Sequence, residues 1–284
     1  MKLVLSKSAC NTYWQCEKRY GFAYRDGLVP KTKEKYFVVG DLFHLGLAIG
    51  YTTHNPDKIH EKTIQYVLDT YPSARQGTMP DELQDQITEA MRLVSEYFDH
   101  YGFEEDVRCL ETTRVEVKIG QIGDLEVFYS GRIDALKGNN ILEHKTMGSI
   151  SSRTIQSYHH DPQGVGYKLL WPEADNVIYN LISKAQNPKI KFHREEVLLP
   201  TKLVEDYKKF LMRTAERMLP ILNDLKDPDR NLFACVPIVG GQCPYRPICF
   251  IKDPEHVKRM KQAYFEIVGM APDMIGYDKY LKEG

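Results

Sequence analysis

The sequence predicts an α/β core with added helices. Three features carry that reading. Helical periodicity dominates the N-terminal third, a succession of short strand-like runs follows, and one helical stretch interrupts those runs before a long amphipathic helix. The first element spans about Ser6 to Tyr24, a helix with serine at its cap and aromatics along its length. A basic connection, PKTKEKYF, leads into a second helix at VVGDLFHLGLAIG. Two longer helices come next, and the second, from PDELQ, places Leu83, Ile87, Met91, Val94 and Phe98 on one face. Strand-like runs then occur at TTRVEVKIG, LEVFYSGRIDAL, NILEHKTM, NVIYNLIS and FHREEVLL, the first three forming an antiparallel meander. QGVGYKLLW, between the third and fourth, reads as a helix. A further helix covers about Leu203 to Leu222, with Leu203, Tyr207, Phe210, Met218 and Leu222 at helical spacing. The closing NLFACVPIVGGQCPYRPICF is turn-rich and holds three of the six cysteines.

At 284 residues, 42% hydrophobic and 27% charged, the chain has the material for a sizeable core, as one domain or one domain with a helical insertion. A formal net charge of −1 leaves any nucleic-acid-binding surface to local basic patches. The start lacks the apolar segment of a signal peptide and no run approaches membrane-spanning length, so a cytoplasmic location is expected. In that compartment the cysteines are expected to be free thiols or metal ligands.

The stretch GRIDALKGNNILEHKT, residues 131 to 146, sets charges inside apolar runs. Gly138-Asn139 suits a two-residue hairpin turn, which pairs Lys137 with Asn140 and sets Asp134 opposite Glu143. Opposed residues share a face with Cβ atoms roughly 5 Å apart, and Lys145 lies on that face one pleat further on. Two such carboxylates either share a proton or bind a cation, and Mg²⁺ or Mn²⁺ suits oxygen ligands. The competing reading is an exposed ion pair of Lys145 with a carboxylate, worth roughly 0–1 kcal/mol. Cys235, Cys243 and Cys249 form a trio in a Pro/Gly-rich segment, and four thiolates could hold an iron–sulfur cluster or zinc; including the distant Cys16 needs further argument, and Cys10 and Cys109 read as ordinary buried thiols.

Five pieces, in order from about Leu5 to Phe250, resemble the PD-(D/E)XK nucleases, in the RecB-like branch that carries an iron–sulfur cluster and includes the CRISPR-adaptation and phage-encoded exonucleases. LSKSACNTYWQCEKRYGF is similar to its N-terminal helix and selects Cys16 over Cys10. GDLFH resembles the helix whose histidine approaches the metal, here His44. GRID and EHK resemble the split active-site motif, giving Asp134, Glu143 and Lys145. DPQGVGY resembles the Q-x-x-x-Y motif, giving Gln163 and Tyr167, and the last cysteines resemble the terminal cluster. Many relatives carry C-x-x-C before the final cysteine; here Gly240 stands three before Cys243, so Cys235 takes that part, as in phage-type members.

The resemblance implies a restriction-endonuclease-like core, a mixed sheet flanked by helices. The whole of 1–284 would be one nuclease domain, with a helical insertion at 52–105. Residues 231–250 and Cys16 would form a structural staple, expected to hold [4Fe-4S]. Asp134, Glu143, His44 and the backbone carbonyl of His144 would hold Mg²⁺ or Mn²⁺, Lys145 would act on the attacking water or the transition state, and Gln163 and Tyr167 would contact substrate, the tyrosine ring by stacking on a base. Expected partners are DNA, single-stranded or with free ends, no membrane, a recombination or CRISPR-adaptation protein, and further copies of the chain. A phage-encoded member would work in the host cytoplasm, in recombination, repair or replication. Arg19, Lys31, Lys33, Lys35, Arg132, Arg153 and Lys168 could follow a DNA strand, and none is assigned. Two rivals stand beside this reading: a catalytically silent DNA-end-binding module on the same fold, and a redox protein that uses the cluster to carry electrons.

Overall fold

The computed structural model describes residues 2–31, 35–71, 79–110, 114–235 and 242–268. In chain order the elements are β1 (Lys2–Leu5), α1 (Lys7–Gln15), α2 (Glu17–Tyr20) running into a π-helical turn (Gly21–Arg25), β2 (Leu28–Pro30), α3 (Lys35–Thr53), α4 (Pro56–Thr70) and α5 (Asp81–Tyr101). Then come β3 (Val107–Cys109), β4 (Arg114–Ile122), β5 (Leu125–Arg132), β6 (Ala135–Lys137), β7 (Asn140–Met147), α6 (Ser152–Ser157), a 3₁₀ turn (Tyr158–His160) and α7 (Pro162–Leu170). β8 (Val177–Ser183), β9 (Phe192–Val197), α8 (Thr201–Leu222), a 3₁₀ turn (Leu232–Ala234), α9 (Arg246–Cys249), α10 (Pro254–Tyr264) and β10 (Phe265–Ile267) complete the order. Two compact units divide these elements.

One unit takes Lys35–Val115 and Gly131–Val204. Its sheet runs β3-β6-β7-β8-β9, with β7 parallel to β8 and the other neighbours antiparallel. β8 is buried along its whole length, which is why VIYNLIS reads as a nearly continuous apolar run rather than an alternation. α3 buries Leu42, Phe43, Leu45, Leu47, Ala48 and Ile49 almost completely, so it is a core helix. α5 is amphipathic and turns Ile87, Ala90, Leu93, Val94 and Tyr97 inward, while Leu83, Met91 and Phe98 pack at the margin of the same core. Each such aliphatic or phenyl side chain contributes roughly 1.5–3 kcal/mol on burial. α3 and α5 approach closely because Gly46 and Gly50 lack side chains; a Cβ there would stand 2.6 Å from Val94 Cγ2 and 2.3 Å from Phe98 Cζ. α4 starts at Asn55, whose side chain accepts from the Asp57 and Lys58 amides, with Pro56 at the first helical position.

The other unit takes Met1–Glu34, Glu116–Ser130 and Glu205–Ile275, with sheets β1-β5-β4 and β10-β2. β1 and β5 pair in parallel from Lys2↔Glu126 to Leu5↔Tyr129. A small core gathers Phe22, Leu28, Tyr245, Ile248 and Phe265. α8 buries Leu211, Ala215, Met218 and Ile221.

Several sequence expectations change. The helix over Ser6–Tyr24 breaks at Cys16, which is extended at φ −165°, ψ 116°. The expected meander is interrupted, because the chain leaves its ladder at Ile133–Asp134: β4 and β5 lie in one sheet and β6 and β7 in another. The buried stripe of α8 differs from the one expected, leaving Leu203 38% exposed. Cys109 is only partly buried, while Cys10 is in the core. Thr112 and Thr113 of the first strand-like run, Lys33 of the basic connection, and Gly240 lie outside the described residues. No helix among the described residues is long and apolar enough to cross a membrane.

Candidate active site

The hairpin forms with the register Lys137↔Asn140, Leu136↔Ile141, Ala135↔Leu142, turning at Gly138 with φ +57°. The ladder stops one step short of Asp134 and Glu143. There the Asp134 carbonyl accepts from the Leu110 amide at 2.9 Å, and Asp134 Oδ2 accepts from the His144 amide at 2.8 Å. The carboxylate therefore takes the place of a ladder acceptor and is tied to β7 beside Glu143. Asp134 is 8% exposed and Glu143 1%. His44, on α3, sets Nδ1 3.4 Å from Asp134 Oδ2.

Lys145 donates to Glu143 Oε1 and to Gln163 Oε1, the latter at 3.0 Å. Gln163 Nε2 donates to Glu143 Oε1 and to the Tyr167 hydroxyl, both at 2.6 Å. The Q-x-x-x-Y pair sits one turn apart on α7, whose N-cap Asp161 accepts from the Gln163 amide at 3.1 Å, with Pro162 behind it. Strand alternation turns His144 to the opposite face from Glu143 and Lys145. There Asn180 Nδ2 donates to His144 Nδ1 and to the Tyr97 hydroxyl, both at 3.0 Å. Arg194 reaches the same Tyr97 hydroxyl at 3.2 Å and holds Glu104 with two hydrogen bonds.

The electrostatics sort the two carboxylates. Burial works against ionising Asp134, but the imidazole of His44, with His144 and Lys145, outweighs it and holds the carboxyl well below the usual range. Burial pushes Glu143 up, and the Asp134 charge adds to the rise; Lys145 offsets only part of it. Burial opposes the charge on Lys145, yet Glu143 and Asp134 hold its ammonium above the ordinary lysine range. His144 is pushed down to about 3 by burial, so it is neutral. Burial also raises the Tyr167 phenol, with Glu143 and Asp134 adding to it.

Among the described residues, Glu143 Oε2 is buried with no hydrogen-bond partner. An inward-facing carboxylate oxygen with nothing to satisfy it suits a hard divalent cation. Among the described residues, no three His, Cys, Asp or Glu side chains already converge closely enough to hold an ion. Lys145 and His44 stand against the carboxylates instead.

The four cysteines named from the sequence all fall in the other unit, and none forms a disulfide. The break after α1 turns Cys16 Sγ toward the Asp229 carbonyl at 3.9 Å, and it accepts from the Asn231 amide at 3.5 Å. Cys235 Sγ lies 3.6 Å from the Asn231 carbonyl. Burial raises the thiols of Cys243 and Cys249, and each also feels Cys16 and Cys235. Among the described residues these thiols form no closed metal cage.

Tyr167 is buried, and its hydroxyl is engaged by Gln163. It is no open platform for a base, which corrects the stacking expected of it; the ring belongs to the core beneath the site. Sequence reasoning missed Tyr97, Asn180, Arg194 and Glu104. A faint signal was present in Asn180, a lone amide inside the apolar run of β8.

The PD-(D/E)XK nuclease superfamily model matches residues 4–250. No curated protein matches the chain. A "putative exonuclease" from Eubacterium rectale of known crystal structure is similar at 14% identity, with a TM-score of 0.54, covering 87% of this chain and 94% of that one, a likeness of fold. SSO0001 is more distant, at 16% identity and a TM-score of 0.34 over 72% of this chain and 93% of its own. With the family match spanning nearly the whole described chain and a mixed sheet flanked by helices beneath the site, the chain belongs to the PD-(D/E)XK nuclease superfamily.

Proposed function

We propose that the protein is a metal-dependent DNA exonuclease of the RecB-like branch, working in recombination, repair or replication in the cytoplasm. The observation that carries the reading is the buried Glu143 with an unpartnered Oε2, set beside Asp134 and paired with Lys145. Asp134, Glu143, His44 and the His144 carbonyl would hold Mg²⁺ or Mn²⁺. When bound, the cation activates water and neutralises charge on the scissile phosphate. Lys145, which donates to Glu143 Oε1, would orient the water or stabilise the charged transition state. Gln163 keeps the lysine aimed by accepting from Nζ at 3.0 Å, and Tyr167 fixes Gln163. Membership of the nuclease superfamily supports DNA as the substrate, and the proposal extends to single strands or free ends, to a recombination or CRISPR-adaptation protein as partner and to a homo-oligomer.

Cys16, Cys235, Cys243 and Cys249 would hold a [4Fe-4S] cluster as a structural staple; four thiols free of disulfides, with Cys243 and Cys249 each sensing Cys16 and Cys235, support that reading. The test is end-labelled single-stranded DNA with Mn²⁺. Wild type should shorten the strand and lose that activity on chelation. Asp134→Asn, Glu143→Gln and Lys145→Met should each slow cleavage by about 100-fold or more. Full activity in all three would refute the site.

A further inference from the structure

Glu143 does not stand alone on its face of the sheet. The registers Glu143↔Tyr179 and Tyr179↔Glu195 put these three in one row across β7, β8 and β9. Lys145↔Leu181 and Leu181↔His193 form the next row on the same face. Adjacent strands are about 4.8 Å apart, so the second row member lies one spacing from the catalytic carboxylate and the third lies two.

The turn Tyr158–His160 lies over these rows. The Tyr158 ring rests on the Tyr179 ring with centroids 4.5 Å apart. Its neighbour His159 sets Nε2 2.8 Å from Glu195 Oε1, while His193 Nε2 stands 2.8 Å from Glu195 Oε2. Tyr179 is itself fixed: its hydroxyl donates to Asp161 Oδ2 at 3.3 Å, and it lies so near α7 that a Cβ on Gly164 would be 2.4 Å from it. The turn is therefore pinned at two points, and Tyr158 stays partly exposed on top. The ring it covers, Tyr179, is paired with Glu143 across β7 and β8, so Tyr158 lies over the row that holds that carboxylate.

We propose that Tyr158 is the base-stacking platform of this active site, receiving an unpaired nucleobase beside Glu143 and Lys145. A partly exposed aromatic ring held by a second, tilted ring suits any base, because every base offers a π face. Beyond the exonuclease reading, on which it rests, this names the substrate feature gripped: an unstacked base of a single strand or frayed end.

The test is a substitution cycle between the ring and the base. Single-stranded oligonucleotides carrying one abasic position, moved stepwise along the strand, are digested by wild type, Tyr158→Ala and Tyr158→Phe. For wild type, one position beside the cleaved bond should slow cleavage about tenfold when its base is missing. Tyr158→Ala should lose about the same factor on the intact strand and show no added loss at that position, while Tyr158→Phe should behave as wild type. In parallel, metal-free binding of a strand bearing 2-aminopurine should change its fluorescence with wild type and Tyr158→Phe but not with Tyr158→Ala. Equal abasic sensitivity in wild type and Tyr158→Ala overturns the proposal while leaving the nuclease reading intact. If wild type cleaves nothing yet the ring-dependent fluorescence change persists, the nuclease reading fails and the platform stands. Loss of both ends the proposal.

Discussion

Two carboxylates one strand apart experience opposite fates because their neighbours differ. Asp134 meets an imidazole and a backbone amide, while Glu143 is deeper and meets the Asp134 charge. Behind them, Glu104 shows the same balance with a different outcome. Burial opposes its charge, but Arg194 and Lys137 hydrogen-bond to it and hold it down at about 2. A carboxyl depressed from 4.5 to about 2 adds stability that is fully present above pH 4.5 and is lost as pH falls toward 2. Unfolding measured across that window should show a loss on the order of 2 kcal/mol, screening included, and Glu104→Gln should flatten it. Arg194 forks onto Glu104 and stacks 3.8 Å from the Tyr101 ring centre. Arg194→Met, which leaves Glu104 part-buried without its main partner, should cost about 3–5 kcal/mol in denaturant unfolding. A lysine there should rescue little, since it cannot fork. The charges of Asp134, Glu143 and Lys145 were legible as anomalies in an apolar hairpin. The layer behind them was not, because Glu104 and Arg194 are 90 residues apart and look like ordinary surface charges.

At the scale of elements, the site exists because the ladder between β6 and β7 stops where the carboxylates begin. The register was readable from the Gly138-Asn139 turn, since a two-residue turn fixes every pair beyond it. The interruption at Ile133–Asp134 was not readable, because GRIDAL has the composition of a continuous strand. α7 brings Gln163 to Lys145 only if its first turn is fixed, and Asp161 does that by capping. Asp161→Ala should therefore cost about 1 kcal/mol and lower turnover of DNA together, as read by thermal melting and by steady-state cleavage. Elsewhere in the same unit, Gly50→Ala would drive a methyl to 2.3 Å from Phe98 Cζ, so the Phe98 ring or the helices must shift. A loss of about 1–3 kcal/mol is expected on melting.

For the whole molecule, two compact units divide the labour: one carries every candidate catalytic side chain and the other carries the four cysteines. If a cluster staples the second unit, Cys16→Ser should abolish the brown colour and the iron content of anaerobically purified protein. It should also lower the melting point of that unit and open residues 225–235 to protease, since site formation and folding are coupled. Colour and iron retained at the wild-type level in Cys16→Ser would remove Cys16 from the ligand set. By itself the sequence determined the helices and most of the strands, through hydrophobic period, and it placed Asp134 against Glu143, through the turn. Both are local, since period and turn chemistry act over a few residues. Only the tertiary structure decided that β5 and β6 part company between sheets, that Tyr167 lies buried, and that Tyr158 lies partly exposed over Tyr179. Those depend on which distant segments pack together, and a ring's exposure is a property of what covers it rather than of the ring.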